Sequence, residues 1–598
     1  MRSAIRTVAL MVQISMRADA VRSVFAVVTA VGQMASLPLR AIGLKVMTDA
    51  FVDGDRSQAL RGVAIVLGLT AVHRLMVHAS LNVRMRLREN TQLYLDSHIM
   101  GLTAGIPGLE HHERPEYLDQ VELIRNERGY LANPFNPISW TIASLVQGAS
   151  TLGLLVGVHP VLALLPTLGL ATAWASGHGE QRLIALIDGQ AEGNRVLRHH
   201  YELTTKHESA KEVRIFGLTD ELLRRRRALF DSLEAERRAL GVHRVTVSTG
   251  AWLLFAAAYI GALAFTVRAA TRGDATIGDA VLVLTIGSQL DQQLAELGEN
   301  VAWFVRTHRA VRRLRWFTDY ADRSHASLAP PVPVAVPSRL REGIRVEGVA
   351  FGYPGTDITV LSDVNLFLPA GSTVAIVGEN GAGKTTLVKL LCRFYEPTAG
   401  RILVDGVPLR DLPVDEWRLR VAAGFQDFAM FELVARETIG VGDTSVPVSE
   451  DALLLGALQR AAAPDVVGEL PIGLDTQLGR DFEGGVELSL GQWQKLALGR
   501  AMMRTAPLLL VLDEPTASLD APTEHRLFER FHGAARDAAI ERGAITILIS
   551  HRFSTVRMAD LILVVDGGRI AESGPHDELI RARGLYAELY DLQARAYR

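Results

Sequence analysis

The sequence predicts two domains of different class: an all-α domain of six membrane-spanning helices over residues 1–323, and an α/β domain over 341–598. A stretch over 324–340 joins them. Three observations carry this reading. Tyr130 to Gly179 is a run of 50 residues without one Asp, Glu, Lys or Arg. A glycine-rich loop, Gly378 to Thr386, stands between an apolar run and a helical stretch. Ser324 to Pro337 holds four prolines and few charges, which reads as extended chain. At 598 residues the chain is also too long for one core.

The helical domain is built from apolar runs taken in order. The N-terminus, with Arg2 and Arg6 before Val8 to Met16, reads as an interfacial helix and not as a cleaved signal, because the apolar stretch runs into Arg17, Asp19 and Arg22. Ser23 to Leu39 forms the first span. Leu60 to Leu81 forms the second despite Arg61 and Arg74; an arginine near mid-bilayer costs about 2.5 to 3.5 kcal/mol, which its apolar neighbours offset. Arg74 is therefore expected to face the bundle interior or a cavity. The 50-residue run fits two crossings of about 20 residues with a turn at Val158-His159-Pro160. Val245 to Val267 is the fifth span. Ile277 to about Leu297 is the sixth, interrupted by Asp279, Asp291 and Glu296, so that its polar face must line water or protein. Asp279, Gln289, Asp291, Gln292 and Gln293 are the candidates for a polar path.

The basic segments fall on one side of this scheme. Arg84, Arg86, Arg88, Arg114, Arg125 and Arg128 follow span two, Arg224 to Arg227 follow span four, and Arg306 to Arg315 follow span six. Positive charge on the inner side then puts the second half of the chain in the cytosol. The long stretches after spans two and four are rich in helix formers and read as helical extensions. Arg224 to Arg227 read as a solvated or headgroup-facing surface. A net charge of −3 gives no sign of nucleic-acid binding. His111-His112 and His199-His200 lack the spacing of metal ligands. The single cysteine, Cys392, excludes an internal disulfide and is expected in the core.

The second half alternates short β-rich runs with helices, the pattern of a parallel sheet. Ser372 to Val377 is a strand leading into Gly378, Glu379, Asn380, Gly381, Ala382, Gly383, Lys384, Thr385 and Thr386. The glycines let backbone wrap a phosphate and the helix start aims N–H groups at it. Lys384 reaches the terminal phosphates and Thr385 can ligate Mg²⁺. Leu508 to Leu512 is a buried-strand run ending in Asp513 and Glu514, one carboxylate for Mg²⁺ and one for the attacking water. Ala544 to Ile549 is another, ending in Ser550 and His551. Together these elements indicate a nucleotide hydrolase.

As a whole the chain resembles an ATP-binding cassette (ABC) exporter of the half-transporter kind. The motifs that carry the resemblance are Phe351-Gly352-Tyr353-Pro354, Gly424-Phe425-Gln426-Asp427, Leu488-Ser489-Leu490-Gly491-Gln492, Ser518-Leu519-Asp520 and Lys211 to Gly217, with Glu483 shortly before Leu488. The resemblance implies that Tyr353 stacks on adenine and that Gln426 senses Mg²⁺ and the water. It implies that Ser489, Gly491 and Gln492 bind ATP held by a second half-transporter, a homodimer or a heterodimer. Lys384, Gln426, Glu514 and His551 are then catalytic, and Thr385, Gln426 and Asp513 hold Mg²⁺. It further implies an ATPase that moves a peptide, lipid or amphipathic molecule out across the cell membrane, with the cassette in the cytoplasm. One departure stands out: Leu490 occupies a position where such signatures carry glycine. If Leu490 weakens the shared site, the chain is instead a weakly hydrolytic partner in a heterodimer.

Overall fold

The computed structural model describes residues 2–133, 135–515, 533, 539–550 and 552–596. It divides into two compact units. The first comprises Met1–Leu102 with Gln120–Thr318, and the second Thr103–Asp119 with Asp319–Arg598.

The first unit is helical. Its long helices are α1 (Arg2–Val52), α2 (Arg56–Gly105), α3 (Asn136–Val158), α4 (Leu164–Gly189), α5 (Thr219–Arg272) and α6 (Ile277–Leu328). Among the described residues, four helices are long and apolar enough to cross a membrane: α1 from Arg6, α2, α3 and α5. In α6 the apolar stretch is shorter, Ile277–Leu290. The turn expected at Val158 to Pro160 separates α3 from α4. His159 is extended there and a 3-10 turn, Pro160–Ala163, follows.

Several helices run far beyond the spans read from the sequence. Helix α2 has 50 residues, about 75 Å at 1.5 Å per residue, because nothing from Asn82 to Gly105 is a proline that would stop it. Helix α5 has 54 residues and ends where Gly273 turns left-handed at φ +84°, its N–H and that of Asp274 closing on Ala270 and Ala269. Helix α1 is broken once. Asp19 leaves helical geometry, and its carboxylate accepts from the Arg22 backbone N–H at 2.9 Å and from Asn90 Nδ2 at 2.9 Å. The side chain thus caps the segment that enters the first span, which separates the N-terminal turns from it.

Three readings change on contact with the structure. Asp279, expected on a polar path, is buried and paired with Lys45. Thr276 and Asp279 form a reciprocal cap at the start of α6: Thr276 N–H donates to Asp279 Oδ2 at 2.9 Å, and Asp279 N–H to Thr276 Oγ1 at 3.0 Å. Asp49 adds to it, accepting from Gly278 N–H at 2.8 Å and from the Thr276 hydroxyl at 3.0 Å. Of the other polar candidates, Gln293 is buried, Gln289 is half-buried, and the side chains of Asp291 and Gln292 lie outside the described residues. In the arginine run, Arg226 is not simply solvated: its guanidinium donates to the Leu197 carbonyl at 2.6 Å and lies over the Tyr201 ring. Finally, Ser324 to Leu328, read as linker, complete α6, and helix gives way only before Pro330, where the proline disfavours helical geometry at the preceding residue.

The second unit carries two sheets. Strands β1 (Gly343–Gly352), β2 (Thr359–Pro369), β4 (Ala399–Val404) and β5 (Val407–Pro408) form an antiparallel sheet in the order β2-β1-β4-β5. The other sheet has the order β10-β9-β3-β8-β7-β6. It is built from β3 (Thr373–Val377), β6 (Val421–Gly424), β7 (Leu509–Asp513), β8 (Ile545–Ile549), β9 (Leu561–Asp566) and β10 (Arg569–Gly574). All are parallel except β10.

Both faces of this sheet are covered, which explains its unbroken apolar strands. Val374 and Ile376 of β3 pack with Leu387 and Leu391, whereas Ala375 and Val377 pack with Val556 and Tyr586 on the opposite face. Likewise Leu509 and Val511 of β7 face the first layer, and Leu510 and Leu512 a cluster around Trp493 and Leu498. Cys392 sits in the first layer, where burial pushes its thiol up to about 12. Arg393 beside it is buried with a left-handed backbone and donates to the carbonyls of Leu328, Arg410 and Leu412. The segment Thr103–Asp119 packs here too: Arg418 donates to the Pro107 carbonyl at 2.5 Å, and Glu113 lies 3.8 Å from Lys389.

Candidate functional site

Parallel strands end on one edge, and the crevice beyond their carboxyl ends is where such sheets bind ligands. Four strands deliver candidate residues there. β3 runs into the glycine loop, β6 into Gln426, β7 into Asp513 and Glu514, and β8 into Ser550. Register brings them level: Ile376 pairs with Ile549, Asp513 with Ile549, and Gly424 with Leu512. A cavity of about 340 Å³ opens at this edge, lined by Tyr353, Asn380, Gly381, Gly383, Lys384, Thr385, Thr386, Gln426 and Glu514.

The loop from Gly378 to Gly383 uses its glycines. Gly378, Gly381 and Gly383 have φ of +148°, +81° and +105°. At Gly383 a Cβ would come within 2.7 Å of Leu361 Cδ2, so the backbone can pass there only without a side chain. Glu379 and Asn380 are exposed, and the Glu379 carbonyl accepts from Ala382 N–H at 3.2 Å to close the turn. Helix α7 (Lys384–Leu391) starts at the cavity, so its free N–H groups point into it. Lys384 is buried and bends back, its Nζ donating to the carbonyls of Gly378 at 2.9 Å and Glu379 at 2.8 Å. These bonds hold the loop in a curved form that fits a phosphate.

The acidic side is as well defined. Thr385 Oγ1 donates to Asp513 Oδ2 at 3.0 Å. Burial pushes the Asp513 carboxyl above the usual carboxylate range and the charges of Glu514 and Asp427 add to this, while the Thr385 hydroxyl and Lys384 oppose it. Burial likewise lowers Lys384, against the pull of Glu514 and Asp513. A hydroxyl and a carboxylate side by side are hard oxygen donors of the kind Mg²⁺ takes, with phosphate and water completing its shell.

Glu514 is held in strained backbone at φ +47°, a region that side chains other than glycine rarely occupy. Its N–H donates to the Ile549 carbonyl at 3.0 Å, and its carbonyl accepts from Gln494 Nε2 at 3.3 Å. Gln494 and its role were not read from the sequence. Gln494 is buried, and the sequence around it, with Gln492 and Lys495 close by, carries no local signal of its partner. Tyr353 reaches the cavity with its hydroxyl 3.0 Å from Thr386 Oγ1 and its ring edge-on to Phe351 and Tyr395. Lys389 Nζ lies 5.2 Å from the Tyr353 ring centre.

Ser489, Gly491 and Gln492 are not brought to this cavity. They open helix α8 (Leu490–Ala501), with Ser489 exposed at its start. Ser489 Oγ accepts from Gln492 N–H at 3.3 Å, and Gln492 Oε1 accepts from Ser489 N–H at 2.8 Å. This capping box fixes the helix end without any help from residue 490. Leu490 is 55% exposed. Replacing it by glycine is expected to change ATP turnover by less than about threefold, since the cap is untouched and glycine at a helix start costs at most about 1 kcal/mol. A steady-state phosphate-release assay checks this; a large gain would show that Leu490 obstructs the site. Glu483 is exposed. His551, Ser518, Leu519 and Asp520 lie outside the described residues.

Comparison with known proteins follows the same lines. A family model described as ABC transporter matches residues 361–517. The chain is 33% identical over 383 residues to the ATP-dependent lipid A-core flippase of Alcanivorax borkumensis, covering 64% of this chain and 62% of that protein. It is 37% identical over 320 residues to the flippase of that name from Pseudomonas fluorescens, covering 53% of this chain and 50% of that one. The chain thus spans half to three fifths of the length of these curated relatives. Among solved structures, a bacterial Atm1-family ABC exporter with ATP bound matches with a TM-score of 0.78 and 25% identity, covering 97% of this chain and 98% of the other.

Proposed function

Starting from a chain that carries an ABC transporter domain fused to a helical domain, the half-transporter architecture of ABC exporters, we propose that two copies assemble to hydrolyse ATP and drive a molecule across a membrane. The observation that supports this most is the division of the site. Lys384, Thr385 and Glu514 line one cavity, with Asp513 bonded to Thr385 behind it, while Ser489 and the start of α8 stand exposed elsewhere on the unit. A helix start with free N–H groups is an anion site. In the proposed assembly it meets the terminal phosphate of ATP held by the partner's glycine loop.

Within the site, the N–H groups of residues 379–385 cradle the phosphates. Lys384 trades its carbonyl partners for phosphate oxygens and stabilises charge that develops on the transferred group. Tyr353 supports the adenine. Thr385, Asp513 and Gln426 would hold Mg²⁺, which supplies charge neutralisation on the phosphates. Glu514 accepts a proton from the attacking water or fixes its direction, and His551 adds a hydrogen bond to the reacting phosphoryl. Closing two cassettes on ATP and reopening after hydrolysis would switch the helical domains between inward-facing and outward-facing forms. The apolar helices support residence in the cell's inner membrane with the cassette in the cytoplasm, and the fused architecture supports export. The flippase names of the relatives favour a lipid or other amphipathic cargo over a peptide.

Cross-linking tests the assembly. Asn380→Cys and Leu490→Cys add thiols at exposed positions, and buried Cys392 stays unreactive. Chains bearing one or the other, mixed and treated with a short bis-maleimide, are expected to link in pairs only when ATP is present. Absence of that link at all protein concentrations would sink the shared site.

A further inference from the structure

Helix α7 meets Tyr353 at two points. Thr386 and Lys389 stand three residues apart, so they share one face of the helix, and both reach the tyrosine. The Tyr353 hydroxyl lies 3.0 Å from Thr386 Oγ1, and Lys389 Nζ sits over the ring, 5.2 Å from its centre. Phe351 and Tyr395 pack on the same ring edge to face, with centres 5.1 and 5.5 Å away. The plane of Tyr353 is thus fixed, and a cation covers one of its two faces. A base that stacks on this ring must take the other.

Lys389 finds its counter-charge far away in the sequence. Glu113 Oε1 lies 3.8 Å from Lys389 Nζ, and the two side chains are only 36% and 26% exposed, so water screens the pair incompletely. Glu113 closes a single helical turn, Glu110–Glu113, in the segment Thr103–Asp119 that the sequence carries between spans two and three. Backbone contacts seat this segment on the chain just beyond α7. Leu109 N–H donates to the Phe394 carbonyl at 3.4 Å, and Gly108 passes so near that a Cβ there would stand 3.3 Å from the same oxygen. Lys389 Nζ also lies 6.0 Å from the Tyr395 ring, and burial together with Glu113 pushes the Tyr395 hydroxyl above its usual range. Glu113, Lys389, Tyr395 and Tyr353 therefore form one cluster beside the cavity.

We propose that Lys389 is a positioning residue for the nucleotide base: its cation holds one face of Tyr353 so that a purine stacks on the opposite face, and Glu113 holds Lys389 in place. Lys389 acts through the ring and does not touch the nucleotide. The first turn of α7 then grips phosphate while the second fixes the platform for the base. Because the ring is oriented before the base arrives, little freedom is lost on stacking. The inference rests on the ATP reading of the cavity and deepens it by naming what sets affinity for the base.

The test is equilibrium binding of ADP and of pyrophosphate, which lacks the adenosine, to the full chain in nanodiscs. K389Q is expected to weaken ADP about fivefold, the scale of one cation over an aromatic ring, and to leave pyrophosphate unchanged. K389R keeps a cation over the ring and is expected to bind ADP within about twofold of the unaltered chain. E113Q is expected to weaken ADP in the same direction by about twofold. Adding K389Q to Y353A is expected to cost nothing beyond Y353A alone, since the lysine works through the tyrosine. Equal weakening of pyrophosphate by K389Q overturns the proposal, by making Lys389 a charge that acts on the phosphates. A further fivefold loss in the Y353A background overturns it too. Loss of ADP affinity in Y353A with none in K389Q overturns the role of Lys389 and leaves the ATP reading standing, whereas ADP binding no tighter than pyrophosphate in the unaltered chain removes the base site itself.

Discussion

Glu514→Gln is expected to lower steady-state ATP hydrolysis by at least about 100-fold while leaving ATP binding intact, the scale of losing a positioned general base. The substitution preserves shape. The amide side chain leaves the backbone N–H bond to Ile549 and the carbonyl bond from Gln494 in place, so the left-handed turn survives. The amide, however, cannot take a proton from water. With chemistry blocked and the phosphate cradle whole, the variant should accumulate as an ATP-bound pair of chains on size-exclusion chromatography. Hydrolysis near the wild-type rate would remove Glu514 from the role assigned to it.

Gly378→Ala is expected to destabilise the nucleotide-binding unit by about 3 to 5 kcal/mol, in the range reserved for substitutions that force backbone to move. Its φ of +148° is one that side chains rarely adopt, and a Cβ there would overlap the carbonyl oxygen of Val565. Neither partner can step aside, because Val565 belongs to β9 and the preceding residue pair, Val377 and Val564, is locked in sheet register. Gly381→Ala is the control. At φ +81° with nothing within 4 Å, it pays only the left-handed strain of about 1 to 2 kcal/mol. Chemical unfolding followed by tryptophan fluorescence separates the two, and equal losses would show that the crowding at Gly378 is relieved by adjustment elsewhere.

The parts of the site that were legible in the sequence are contiguous. The glycine loop, Asp513-Glu514 and Gln426 each sit at the end of an apolar strand, and a parallel sheet brings strand ends together whatever lies between them. What was not legible depends on contacts between distant segments. Gln494 beneath Glu514, Arg393 holding the Leu328 and Leu412 carbonyls, and Thr103–Asp119 packed on the second unit have no local signature of partner or direction. Asp279 was misread for a different reason. An acid within an apolar run suggests a polar path, yet the Thr276 three residues earlier was a readable cap signal that makes the same acid structural. The stretches after spans two and four were read as helical extensions, but their ends were not legible from hydropathy, which stops at the span, whereas a helix ends at a stop signal, as at Gly273 or before Pro330.

The cluster of Lys45, Asp49, Thr276 and Asp279 limits how the helical unit can deform. It knots the far end of α1 to the first turn of α6, so those two rods share a pivot. Separating them would strand a buried carboxylate and break the bonds from Thr276 and Gly278 together. Any rearrangement at that end must therefore carry both rods as one lever and find its freedom in the helices not tied there.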